Sequence, residues 1–206
     1  MLTCTSIAAN EARPKNADTA AFKKIEYLKG FAYPLEILRS MIDHKKVLVL
    51  ALNGPAVGGG AVWFQGCADI ILAAQGGYLM VPFSSLGLVP ENGSAPIFAQ
   101  SMGVHRANEF LMFGKKVPFE DFQKWGLVNQ IFSQENFHQQ VEKYLQEQLE
   151  VNDGKSMMEA KRLQNAPLRA SRILAVYDSV DALAERFVAG APQGRFAKKK
   201  AELEGM

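Results

Sequence analysis

A run of apolar residues that stops at three consecutive glycines fixes most of what this chain can become. Lys46-Val47-Leu48-Val49-Leu50-Ala51-Leu52 is rich in β-branched residues and does not alternate polar with apolar. That is the pattern of a strand covered on both faces. Asn53-Gly54-Pro55 then signals a turn, Gly58-Gly59-Gly60 follow, and Ala61, Val62, Trp63 and Phe64 read as a short apolar helix. Glycines at a strand-to-helix junction let another group come close to the backbone. The unpaired N–H groups of the helix start point at whatever arrives there. Such a corner can hold a phosphate, a carboxylate or a developing oxyanion, or it can serve close helix–sheet packing alone. The phosphate reading is disfavoured, because no Lys-Ser/Thr follows the glycines and G-x-G-x-x-G spacing is absent.

The rest of the chain supplies partners for that strand. Asp18 or Thr19 is placed to cap a helix through Phe22, Ile25 and Leu28; Gly30 and Pro34 interrupt it, and Leu35 to Ile42 continues one apolar face. This suits the helix before the central strand of a right-handed β–α–β crossover. Asp69–Ala74 reads as a second buried strand and Tyr78–Val81 as a third, and Pro82 opens a loop carrying Leu86, Leu88 and Glu91. Ser94 is the expected N-cap of a helix over Ala95–Met102. A helix over 104–113, a short one over Phe119–Trp125 and a strand over Leu127–Phe132 follow. From Gln134 onward the pattern is helical, with apolar stripes at Phe137, Val141, Tyr144 and at Ile173, Val176, Val180, Leu183. Strands first and helices last imply an α/β core with a helical tail.

Composition narrows the classes. A chain of 206 residues with a formal charge of +2 reads as one globular unit with no electrostatic case for nucleic acid or an anionic membrane. No apolar run reaches membrane-spanning length. Cys4 and Cys67 cannot build a disulfide framework, which fits a reducing compartment. Residues 1–17 are polar, contain Pro14 and read as a disordered leader, without the basic start and apolar core of a secretory signal. The chain ends Glu-Gly-Met rather than in a Ser-Lys-Leu peroxisomal address.

Among residues able to do chemistry, Glu91 is the candidate. A lone Glu in a Pro-flanked loop is usually solvated, but this one lies among Phe83, Leu86, Leu88 and Val89. An inward orientation would raise its pKa into the range of a general base. Other constellations are poor: His44, His105 and His138 lie in separate segments without metal-pair spacing, no G-x-S-x-G elbow occurs, and Cys67 has no evident basic partner. Asn92 reads as shaping the turn or orienting the neighbouring carboxylate.

Three motifs taken together are specific: Asn53-Gly54-Pro55-Ala56-Val57-Gly58, Cys67-Ala68-Asp69-Ile70, and Pro82-Phe83-x-x-Leu86-Gly87-Leu88-x-x-Glu91-x-Gly93. They resemble the crotonase superfamily of enoyl-CoA hydratases and isomerases, and within it the fungal peroxisomal 3-enoyl-CoA/2-enoyl-CoA isomerases. The similarity runs through residues 40–132 and, more loosely, the C-terminal helices. It implies an α/β fold built as a superhelix of ββα units, with a helical C-terminal region over 133–206 that mediates trimers or hexamers. It also implies that the family's N-terminal segment has no counterpart before residue 18. Residues 18–132 then read as a truncated core, without the family's first oxyanion donor and much of its adenine pocket.

The resemblance further implies an acyl-CoA substrate in fatty acid β-oxidation, with coenzyme A as part of the substrate, no separate cofactor and no metal. Glu91 matches the family's catalytic glutamate, and Gly59 the second backbone donor to the thioester oxyanion. Ala56, Val57, Gly58, Phe83, Leu86 and Leu88 fall at substrate-binding positions. The two glutamates of hydratases fall on Val62 and Phe83, so a double-bond shift from C3 to C2 is expected rather than hydration. A catalytically silent subunit partnering a full-length homologue is the alternative. A peroxisomal location follows from the resemblance, with mitochondrial or cytoplasmic as alternatives.

Overall fold

The computed structural model describes residues 18–204, so the expected leader over 1–17, with Cys4, lies outside the described residues. Two helices lead in: α1 (Ala20–Gly30) and α2 (Ala32–Ile42). Thr19 caps α1, its hydroxyl accepting from the Phe22 N–H at 3.2 Å. Phe31, rather than Pro34, marks the break between them. Pro34 falls in the first turn of α2, where a missing N–H is tolerated.

The strands form two small sheets. β1 (Val49–Leu52), β3 (Ile70–Ala74) and β6 (Gln130–Phe132) are parallel in the order β1-β3-β6, with Leu50 opposite Ile71 and Ala73 opposite Ile131. β2 (Ala56–Val57), β4 (Tyr78–Met80) and β5 (Val117–Pro118) form the second, with β2 parallel and β5 antiparallel to β4. β3 is therefore the central strand of its sheet and β1 an edge. All four residues of β1 are only half-buried, whereas Ile71–Ala74 of β3 are buried. The buried central strand is thus β3 rather than the expected β1. An unalternating apolar run reports hydrophobicity on both faces, not where the strand stands in its sheet. Two-residue strands such as β2 and β5 carry no period at all and have no sequence signature.

Between and after the strands come α3 (Gly60–Trp63), α4 (Ser94–Met102), α5 (Val104–Phe113) and α6 (Phe119–Trp125). The C-terminal part is α7 (Phe137–Val151), α8 (Gly154–Asn165), α9 (Arg169–Val188) and α10 (Ala191–Glu204). The expected strand over 127–132 is shorter than its apolar run: Leu127 and Val128 are core residues of the turn leaving α6. The main core joins the two sheets to α4, α5 and α6 through Val62, Ile71, Leu79, Phe83, Phe98, Phe110 and Phe122. Its aromatic rings meet in sequence, Phe98–Phe110 tilted at 5.3 Å and Phe110–Phe122 edge-to-face at 5.1 Å between centroids. A second cluster lies under α7, and a third joins Leu38 of α2, Cys67 and Val176 of α9. Cys67 is buried there, and burial pushes its thiol up to about 11. Among the described residues no helix is long and apolar enough to cross a membrane.

Candidate active site

The glycine corner and the Glu91 loop meet past the C-terminal ends of β2 and β4, the end of parallel strands where α/β folds place ligands. Gly58 donates its N–H to Met80 O at 2.8 Å, extending the β2–β4 pairing by one residue, and takes φ +69°. That left-handed turn releases Gly59 from the ladder: among the described residues no acceptor receives its N–H. Gly59 itself is right-handed and starts the turn into α3, with its carbonyl accepting from Val62 N at 3.1 Å.

The loop after β4 makes a single 3-10 turn at Ser84–Leu86, passes Gly87 at φ +72°, and continues through Leu88, Val89 and Pro90, all half-buried. At its end Ser94 N donates to Glu91 O at 3.0 Å, with Asn92 and Gly93 between them at φ +60° and +68°. Asn is one of the few non-glycine residues that tolerates this region. Ser94 is not the N-cap: Gly93 holds that position, Ser94 begins α4, and its buried hydroxyl has no partner among the described residues. The left-handed cap forced by the Glu91 turn displaces the expected serine cap by one residue.

This turn carries the Glu91 carboxylate onto Gly59. A Cβ added at Gly59 would collide with Glu91 Oε2, so a larger residue here would push the carboxylate aside. Glu91 has no hydrogen-bond or ion-pair partner among the described residues, and burial alone raises its pKa to about 7. Asn92 Nδ2 donates to Gly59 O at 3.4 Å, tying the two halves of the site together. The arrangement joins a half-buried, unpaired carboxylate, poised to exchange a proton near neutrality, with an unengaged backbone N–H beside it.

The other sequence-nominated positions separate into two groups. Ala56, Gly58, Leu86 and Leu88 are half-buried around the corner and loop, and Val57 is exposed beside them. Phe83 is 1% exposed and lies inside the main core with Val62, so neither presents a polar group to the corner. Away from this site, a cleft of about 580 Å³ opens beyond the N-terminal ends of β1 and β3, lined by His44, Lys45, Lys161 and Arg169 among others. Two of its cations are engaged within the protein: Lys161 with Asp69 at 2.8 Å, and Arg169 Nη2 with Asp43 at 2.7 Å.

Parallel strands feeding glycine-rich helix starts, closed by a helical C-terminal region, define a crotonase fold. The structure superposes on the enoyl-CoA hydratase/isomerase of Pseudoalteromonas atlantica T6c with a TM-score of 0.74 at 22% identity, over 80% of this chain and 66% of that one. The family model described as Enoyl-CoA hydratase/isomerase matches residues 26–189. The chain belongs to the enoyl-CoA hydratase/isomerase family. It is 40% identical over 110 residues to a Delta(3,5)-Delta(2,4)-dienoyl-CoA isomerase of Pyricularia oryzae, covering 53% of this chain and 39% of that protein. It is 37% identical over 106 residues to the peroxisomal Enoyl-CoA delta isomerase 3 of Mus musculus, covering 52% of this chain and 33% of that protein. The chain thus spans well under half the length of these two relatives.

Proposed function

We propose that this protein acts on an unsaturated fatty acyl-CoA thioester and moves its double bond from C3–C4 to C2–C3. The observation that carries the reading is the single unpaired carboxylate of Glu91 packed against Gly59. In its ionised form Glu91 takes a proton from C2. The C–H electrons pass into the C1–C2 bond, and the thioester carbonyl becomes an oxyanion conjugated to C3–C4. The Gly59 N–H is the donor proposed for that oxyanion, a preorganised dipole in a water-poor site. Glu91, now protonated, returns the proton at C4; the C1 carbonyl reforms and the double bond rests between C2 and C3. One carboxylate serves both transfers, and no water is consumed.

Hydration would need acid–base groups holding a water, and Val62 and Phe83 offer none at the positions where hydratases carry glutamates. A second reading is favoured by the Pyricularia relative, whose name describes a shift from 3,5-diene to 2,4-diene. That reaction moves a proton from C2 to C6, a longer path that a lone carboxylate serves less well than the C2-to-C4 transfer. The peroxisomal mouse relative supports a peroxisomal place of work. The deciding experiment assays the purified protein on 3-enoyl-, 3,5-dienoyl- and 2-enoyl-CoA side by side. Turnover of 3-enoyl-CoA well above the other two is the expected outcome. Faster turnover of the diene would replace the first reading with the second, and hydration at comparable rate would remove both.

A further inference from the structure

Both ends of the Glu91 loop are held by one helix more than eighty residues further along the chain. At its C-terminal end Gly93 donates its N–H to Ser179 Oγ at 3.1 Å, and that hydroxyl donates onward to Val176 O at 2.8 Å. At its N-terminal end Gly87 O accepts from Arg186 Nε at 3.3 Å. Ser179 and Arg186 are seven residues apart on α9, two helical turns, and so lie on the same face about 10 Å apart. Val176 and Leu183, on that face too, are buried.

The fit allows little slack. A Cβ at Gly93 would meet Val176 at 3.1 Å, and one at Gly87 would meet the Ala191 backbone at 2.9 Å. Both glycines have positive φ, so the loop's two bends are formed where the C-terminal helices press on them. The remaining tie, Asn92 to Gly59, lies between these two points.

We propose that Ser179 is a positioning residue for the Glu91 carboxylate, with Arg186 as the second anchor of the same clamp. Neither touches the reacting atoms. They hold the loop at the depth where Glu91 is partly withdrawn from water and lies against Gly59. The inference rests on Glu91 being the base, and its test is separable from that reading. Arg186 is the charged group on α9 that meets the loop, and its contact is to a carbonyl at Gly87 rather than to the carboxylate.

The experiment compares the full chain with its Ser179→Ala, Ser179→Thr and Arg186→Gln variants. It uses amide hydrogen exchange over residues 87–94, NMR titration of a ¹³C-labelled Glu91 carboxyl, and turnover of 3-enoyl-CoA. Loss of one hydrogen bond is worth roughly three- to tenfold in an equilibrium. Ser179→Ala is therefore expected to speed exchange at Gly93 by about that factor and to draw the Glu91 titration down from about 7 towards its ordinary 4.5. It should lower kcat more than it raises KM, and Ser179→Thr, which keeps the hydroxyl, should restore these readouts. Arg186→Gln should loosen exchange at the Gly87 end and, if Ser179→Ala does not fold, supplies the titration readout alone. Unchanged loop exchange and an unchanged Glu91 titration in a folded variant would overturn the proposal. Full turnover by a Glu91→Gln variant would instead remove the base assignment, while the exchange response would still report the clamp.

Discussion

Asp69 and Glu91 are both carboxylates withdrawn from solvent in the same small α/β core, and the fold surrounds them differently. Asp69 stands at the entrance to β3. Its Oδ2 receives Lys161 Nζ at 2.8 Å and the Leu48 N–H at 2.7 Å, while Oδ1 receives Asn165 Nδ2 at 3.3 Å. Lys161 in turn donates to Lys46 O at 2.7 Å, so the pair pins α8 to the start of β1. Glu91 stands beyond the far ends of β2 and β4, and its carboxylate receives no donor among the described residues. A shielded charge with both oxygens answered is a structural joint. One left unanswered is unstable where it is, and that instability is what makes it ready to accept a proton.

The sharpest way to break the comparison is to neutralise each carboxylate system in turn. Glu91→Gln keeps the shape and removes the proposed base, so the proposed isomerase turnover is expected to fall ~10²–10⁴-fold with the fold intact by circular dichroism. Retained turnover would make Glu91 a structural residue like Asp69. Lys161→Ala should do the reverse. It strands Asp69 among half-buried neighbours, and chemical denaturation should show a loss of about 3–5 kcal/mol, while whatever remains folded keeps its KM. The two substitutions should therefore exchange symptoms, one losing rate and the other losing stability.

The third test reads the same contrast through pH. Below 4.5 the Glu91 carboxyl is protonated both folded and unfolded, and it does not affect stability. Between 4.5 and about 7 the unfolded chain releases a proton that the folded chain keeps, so stability falls as pH rises. Above about 7 the ionised carboxylate carries its full burial penalty. Glu91→Gln lacks that penalty and should be about 2–3 kcal/mol more stable than the parent at pH 8, with the gain vanishing near pH 4. Urea midpoints at the two pH values decide it. A gain equal at both would mean that burial of the charge is not its source. The smallest effect is expected at Asn92. Asn92→Ala loses a long hydrogen bond and places alanine at positive φ, a change of about 1–2 kcal/mol, with a modest fall in turnover from a less constrained Glu91.

These contrasts also explain what could be read from the residues alone. That Glu91 and Gly59 come together was legible because the motifs that carry them are local: each sits within a dozen residues of the glycines and prolines that bend the backbone around it. The burial of Glu91 was foreseeable from Phe83, Leu86 and Leu88, although Phe83 proves to belong to the core proper. Ser179 and Arg186 were not legible. Their contacts to the loop span 86 and 99 residues, and on α9 they are unremarkable polar positions of an amphipathic helix. Asp69 and Lys161, 92 positions apart in the numbering, were hidden for the same reason. Local chemistry is written in local sequence; its supports arrive by packing, which one sequence does not display. The misjudged depth of β1 has that origin too, since which strand is central depends on which neighbours pair with it.

Cys67 turns the packing of these helices into something that can be timed. Its thiol lies between Leu38 of α2 and Val176 of α9, the same Val176 that backs Gly93. With a pKa of about 11, only ~10⁻⁴ of it is thiolate at pH 7, and the thiolate is the reactive form. Alkylation of the native protein is therefore almost arrested, and each labelled molecule records an excursion in which the seam between α2 and α9 came apart. In a chain with Cys4 replaced by Ser, the labelling rate becomes a clock for how often the seam opens. When the helix that lifts is α9, the same excursion takes the backing from the far side of the Glu91 turn.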